Sequence, residues 1–110
     1  MAGIGAAMRA LADQLDGDGI TATADPSVAA SNRPCLLVTP PTVDYSQLTN
    51  TWHVMALSRH PAGTLDAVDE LEPLVERARE RLHVEHLKPV QYPLTPETGT
   101  VPALALRVVT

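Results

Sequence analysis

Few side chains in this sequence have the types and spacing that chemistry requires. Cys35 is the single cysteine. It stands in the apolar run Cys35-Leu36-Leu37-Val38, where a thiol packs as a small hydrophobe and keeps a high pKa. No base neighbours it along the chain, so a nucleophilic role is not expected. His83 and His86 stand three residues apart, and His53 and His60 could in principle join them. Zinc requires three or four converging ligands with second-shell support. This spacing is not that of H-E-x-x-H, and a helix end welcomes partial positive charge without any metal, so the histidines read as structural. Gln14-x-Asp16-x-Asp18-Gly19, with Asp25 at the twelfth place, echoes a calcium loop. Such a loop needs oxygen ligands at alternate positions, a glycine for the turn and a closing acid. Here the first ligand is Gln, the last is Asp, and Pro26 is expected to bar the exiting helix, so the stretch reads as a solvated turn. Gly3-Ile4-Gly5 has no strand before it and no third glycine, which argues against a phosphate-binding loop. No catalytic, cofactor-binding or metal residue is therefore assigned, and the chain is not expected to be an enzyme.

The element that organises the chain is an amphipathic helix over 64–84. Leu71, Val75, Ala78 and Leu82 recur at helical spacing, Val68 extends the stripe one turn back, and Leu74 widens it. Acids crowd the first half of the polar side and arginines the second, as the helix dipole favours. A Pro-Ala-Gly turn at 61–63 precedes it, and Thr64 is a good N-cap. Pro73 removes one backbone hydrogen bond and predicts a kink near 69–73. Glu76–Arg79 and Arg77–Glu80 stand as i,i+3 pairs on a face that reads most simply as solvated, with a subunit contact as the alternative.

In chain order, Ile4, Ala7, Met8, Leu11 and Leu15 predict a helix over 3–16, ended by Asp16-Gly17-Asp18-Gly19. Alternation at 20–25 predicts a strand closed by Asp25-Pro26, and 26–33 reads as a loop. A central strand is expected over 34–39, stopped by Pro40-Pro41. Residues 40–50 have no clean period and read as a long connection between antiparallel strands. The strand at 51–59 turns Trp52, Val54, Ala56 and Ser58 one way and His53, Met55 and Leu57 the other. Apolar groups on both faces imply a central position or an interface. Residues 84–92 read as a strand that Pro89 pushes to an edge, 93–102 as a turn-rich loop, and 103–109 as a final strand with Leu104, Leu106 and Val108 on one face. The expectation is a single α+β domain over 1–110, in the order α-β-β-β-α-β-β. Four to five mostly antiparallel strands would carry both helices on one face. The last strand could also pair in parallel with an earlier one across the helix.

Composition sets further bounds. The 110 residues contain no Phe, one Trp and two Tyr, so the core must be aliphatic and thin, and a partner subunit could help bury it. A formal net charge of −5 without a basic cluster argues against a protein that grips nucleic-acid phosphates. One cysteine excludes an intramolecular disulfide framework. No apolar run is long enough for a membrane-spanning helix. The N-terminus lacks a basic stretch, and Arg9 interrupts its apolar residues, so no signal peptide is expected. The expected place is a host cytoplasm or a particle assembled there.

The helical stretch 4–15, the strands at 20–24, 33–38 and 51–58, the helix at 64–82 and the strand at 104–109 together resemble the tail-terminator (tail-completion) proteins of long-tailed bacteriophages. In that family an N-terminal helix leads into an antiparallel sheet, a long β-hairpin follows, a second helix crosses the sheet, and a strand pair closes it. The resemblance covers nearly the whole chain and rests on pattern rather than on a catalytic motif. Pro73 and Pro89 depart from it. It implies a virion protein at the head-proximal end of the tail. There a homo-oligomeric ring, commonly a hexamer, would cap the tail tube protein and offer a surface to head–tail connector proteins. The resemblance implies that DNA passes through such a ring without specific binding, and a negative chain would not stick to it. A head–tail connector or stopper of the same particle is the alternative, and a small cytoplasmic enzyme a distant one.

The interface residues expected on this reading are Val43, Tyr45 and Leu48 in the 40–50 connection and His53, Met55 and Leu57 on the strand after it. The connection is eleven residues long and lacks a strong turn such as Asn-Gly. It is expected to be poorly ordered in the free subunit and to order at a joint, with Tyr45 as the anchor.

Overall fold

A computed structural model describes residues 3–60 and 64–110. The Pro-Ala-Gly turn expected at 61–63 lies outside the described residues. The fold is α+β, with three helices and a mostly antiparallel six-stranded sheet. The elements run α1 (Ile4–Leu15), β1 (Ala22–Thr23), α2 (Pro26–Ser31), β2 (Cys35–Val38), β3 (Thr42–Asp44), β4 (Thr49–Leu57), α3 (Leu65–Arg81), β5 (Val84–Thr95) and β6 (Gly99–Val109).

The strand order is β1-β2-β4-β6-β5, with β3 paired to β4 off this path. β1 and β2 are parallel, and the other pairs are antiparallel. The closing strand β6 therefore pairs with β4 antiparallel, with Leu57 opposite Ala103 and Thr51 opposite Val109. Pro89 lies in β5, which is an edge strand, where a missing N–H can face solvent. The expected loop at 93–102 is instead the tip of a long hairpin, because β5 runs on to Thr95 and β6 begins at Gly99.

Both α1 and α3 cover the same face of the sheet. Leu11, Leu15, Leu71, Leu74, Val75 and Ala78 pack there against Leu36, Val38, Trp52, Val54, Leu106 and Val108. Thr64 caps α3 by accepting from Ala67 N at 3.2 Å, and the helix continues through Pro73, whose side is exposed. Two positions depart from the sequence reading of α3. Val68 is half exposed rather than part of the buried stripe, and Arg77 is buried.

The other face of the sheet is covered in part by α2, which stands where the sequence predicts a loop over 26–33. Asp25 caps it by accepting from Ser27 N at 2.9 Å, and Pro26 occupies its first turn. Proline suits that place, since its fixed φ matches the helix and its missing N–H would be unpaired there anyway. The expectation that Pro26 bars a helix is thus reversed. Ala29 packs on this face with Cys35, Leu37, Leu57, Leu94, Val101 and Ala103.

Candidate functional site

The residues that suggested a calcium loop are committed elsewhere. Asp16 Oδ1 accepts from Ala22 N at 2.9 Å, Asp25 caps α2, and the Gln14 amide donates to Arg81 O at 3.1 Å. Asp18 Oδ2 lies 2.6 Å from Arg77 Nη1. Hydrogen bonding and the charge of Arg77 hold the Asp18 carboxyl below the ordinary range. The turn is tight: Gly17 and Ile20 exchange backbone hydrogen bonds of 3.0 and 2.9 Å, and Asp18 and Gly19 both have positive φ. Gly17 takes φ 120°, which favours glycine, and a Cβ there would also stand a tight 3.1 Å from Arg77 Nη2.

The histidines are divided. His60 Nε2 lies 3.3 Å from Glu70 Oε2, and His83 is exposed. His53 and His86 meet on the second sheet face, each in register with Arg107 between them. A depression of about 450 Å³ lies here, lined by His53, His86, Leu87, Lys88, Ala105 and Arg107. The two histidines are separated by the intervening strand, whose Arg107 faces Glu85 with Nε 4.0 Å from Oε1. Among the described residues no group of three or more His, Cys, Asp or Glu side chains is placed to hold a metal ion. Cys35 is fully buried, and its thiol donates to Ala29 O at 3.4 Å. Burial pushes that thiol up to about 11, against a small opposing pull from Arg33.

What the surface does offer is apolar contact. The long connection expected at 40–50 is the turn and one strand of a hairpin. Thr42, Val43 and Asp44 pair with Thr51, Asn50 and Thr49. The turn is fixed locally, against the sequence reading that nothing sets its register. Asp44 Oδ1 accepts from Ser46 Oγ at 2.6 Å, Ser46 N at 2.9 Å and Gln47 N at 3.2 Å, and Leu48 takes a positive φ of 55°. Those bonds, the Ser46 hydroxyl foremost, hold the Asp44 carboxyl below its ordinary range. This is an Asp side chain mimicking a backbone turn. The base of the hairpin is tied to the end of the chain, where Asn50 and Thr110 exchange backbone bonds of 2.9 Å and Trp52 Nε1 donates to Thr110 Oγ1 at 3.0 Å.

The tip displays its apolar groups to solvent. Tyr45 is 79% exposed and Leu48 85%, while Val43 is half-buried at the stem. Of the other expected contact residues, His53 and Met55 are partly exposed on the second sheet face. Leu57 is fully buried against the α2 cluster, so it is core and not available to a partner. A groove of about 360 Å³, which periodicity alone does not report, lies between the first turns of α3 and the β5–β6 ribbon, lined by Ala67, Val68, Leu71, Pro89, Gln91 and Leu104 among others. Val68, placed in the core by periodicity, forms its exposed wall.

No protein-family model, curated protein or solved structure matches the chain.

Proposed function

We propose that this chain is a structural subunit of a long-tailed bacteriophage, a tail terminator that assembles as a ring on the finished tail tube. The ring stops tube growth and presents the surface to which the head is joined. The observation that carries the reading is the β3–β4 hairpin. It extends from a covered sheet on strand pairing with β4 alone, and it exposes Tyr45 and Leu48 on a turn fixed by Asp44. A fixed turn with an amphipathic aromatic at its tip brings large contact area at low ordering cost, which suits assembly. The α+β architecture, with two helices on one face and a hairpin before the crossing helix, supports the same reading.

The test is to add the purified protein to growing tail tubes and measure tube lengths by electron microscopy. Tubes of uniform length bearing a terminal ring are expected. Failure to bind tubes, with binding instead to head–tail connector proteins, would assign the chain to the connector joint.

A further inference from the structure

Among the exposed apolar features of the described residues, two are complementary in kind. One is the tip, with Tyr45 and Leu48 largely in solvent. The other is the groove beside α3, whose floor includes Leu71 and Leu104 and whose wall is Val68. They stand at opposite ends of β4. The hairpin joins β4 at Thr49, whereas Leu104 of the groove pairs with Ala56. Seven residues of extended strand separate those points, roughly 23 Å, so the tip cannot fold back into its own groove.

We infer that the Tyr45/Leu48 tip of one copy seats in the Ala67–Val68–Leu71–Pro89–Leu104 groove of the next copy. This contact rests on the ring-forming reading of the chain and names the surfaces that would join its subunits. A volume of about 360 Å³ is near the lower end of the roughly 300–1,000 Å³ typical of binding pockets. It suits a pair of side chains rather than a helix or a long peptide. The groove and the tip are different patches on one chain, so the contact is head-to-tail, the kind that closes into a ring when the rotation allows. A contact of two tip side chains with one groove is small beside the roughly 800 Å² per partner of a standard stable interface. Each contact is therefore weak alone and gains strength when a ring closes, because every added link becomes intramolecular.

The test uses two variants of the full chain. Tyr45→Ser/Leu48→Asn removes the tip, with Asn chosen because it tolerates positive φ. Val68→Arg fills the groove from an exposed helix position. Circular dichroism and melting first establish that both fold. Sedimentation equilibrium over a concentration series should show the parent associating beyond a dimer. Either variant alone should associate at least tenfold more weakly. An equimolar mixture should form heterodimers and stop there, because one intact tip meets one intact groove and both outer ends are blocked. A parent that stays monomeric, a parent that stops at a symmetric dimer, a variant that associates like the parent, or a mixture that stays monomeric would each overturn the contact. Tube capping is scored separately. If Val68→Arg rings still cap tubes, the groove contact is wrong while the terminator reading stands. If the mixture dimerises but the parent never caps tubes, the contact stands and the terminator reading falls.

Discussion

Arg77 of α3 reaches across to Asp18, with Nη1 2.6 Å from Oδ2, and so fastens the crossing helix to the turn that ends α1. The same guanidinium donates from Nε to Leu15 O and from Nη2 to Asp16 O, both at 3.0 Å. A cation is well placed there, because the last carbonyls of a helix are unpaired and carry partial negative charge. With 7% of its side chain exposed, Arg77 acts as a buried three-point clamp rather than as a surface charge. The expected Arg77–Glu80 pair gives way to it, while Glu76–Arg79 forms at 3.0 Å.

Replacing Arg77 by Met keeps the stem and removes the donors. It leaves the Leu15 and Asp16 carbonyls without this partner, a loss of about 1–3 kcal/mol, or a fall in Tm on the order of 10 °C for a domain of this size. Asp18→Asn should cost less, since Asp18 is exposed and the two carbonyl contacts survive. Thermal melts of the two variants check the order. Equal losses would show that the ion pair, and not the carbonyl clamp, carries the joint.

Glu70 makes a second tie, from α3 to the end of β4. Its Oε1 accepts from Ser58 Oγ at 3.0 Å and Arg59 N at 2.7 Å, and its Oε2 faces the Arg59 guanidinium at 3.1 Å. Burial pushes this carboxyl up, but the hydrogen bonds from Arg59 N, Ser58 and the Arg59 side chain outweigh it, and the net displacement is downward from 4.5. The folded state therefore binds the proton less readily than the unfolded one. This stabilisation is present above the ordinary carboxyl value and is lost as pH falls through the lower folded value. Glu70→Gln should cost about 1–2 kcal/mol at pH 7, with little of it from the exposed Arg59 charge. The gap between parent and variant should close as pH falls below the ordinary carboxyl value of 4.5 in denaturant titrations. A gap independent of pH would show that shape, not charge, matters at this site.

The layers of the fold were legible because periodicity reports burial. Leu71, Leu74, Val75 and Ala78 recur at helical spacing and do face the sheet, and Trp52, Val54 and Ala56 alternate into the same core. Short elements and long-range polar partners were not. Six residues are too few for α2 to show a period, although Asp25-Pro26 carries a cap and a first-turn proline that favour a helix start. Arg77 reads as solvent because its partners lie about sixty residues away. The hairpin turn is set by the Asp44 side chain rather than by Asn-Gly, and three-residue β3 has no pattern of its own. Val68 obeys the helical period yet faces a gap, since periodicity gives direction but not what lies there.

The Cys35 thiol should be inert while the chain is folded. Its displacement from 9.0 to about 11 lowers the thiolate fraction at pH 8 by about a hundredfold, and full burial blocks access as well. Labelling with a chromogenic disulfide reagent should be more than a hundredfold slower in buffer than in denaturant. Because the folded value is raised, this stabilisation is complete below pH 9 and is lost as pH rises toward the folded value. Fast stoichiometric labelling of native protein at pH 8 would contradict the buried placement.

Replacing residues 42–48 with a short Gly/Ser linker separates fold from assembly. β3 pairs only with β4 and lies off the main strand path, and the tip residues Tyr45, Ser46, Gln47 and Leu48 are exposed. The main core draws on α1, α3 and strands β2, β4 and β6, and no residue of 42–48 is buried within it. The base of the hairpin keeps its tie through Asn50 and Thr110, and Trp52 keeps its bond to Thr110 Oγ1. The replacement should therefore leave the circular dichroism spectrum close to that of the parent and lower Tm by only a few degrees, about the effect of 1 kcal/mol. Exposed segments of this kind tolerate such exchange. On the proposed terminator reading, capping of tail tubes should be lost, because Tyr45 and Leu48 leave with the loop and no other described residue near the tip exposes an aromatic ring. Melting and tube-length distributions, measured on the same preparations, decide the matter. A replacement that melts like the parent and still yields tubes of uniform length would free the hairpin from any part in capping. One that unfolds would place these residues in the core, against their exposure.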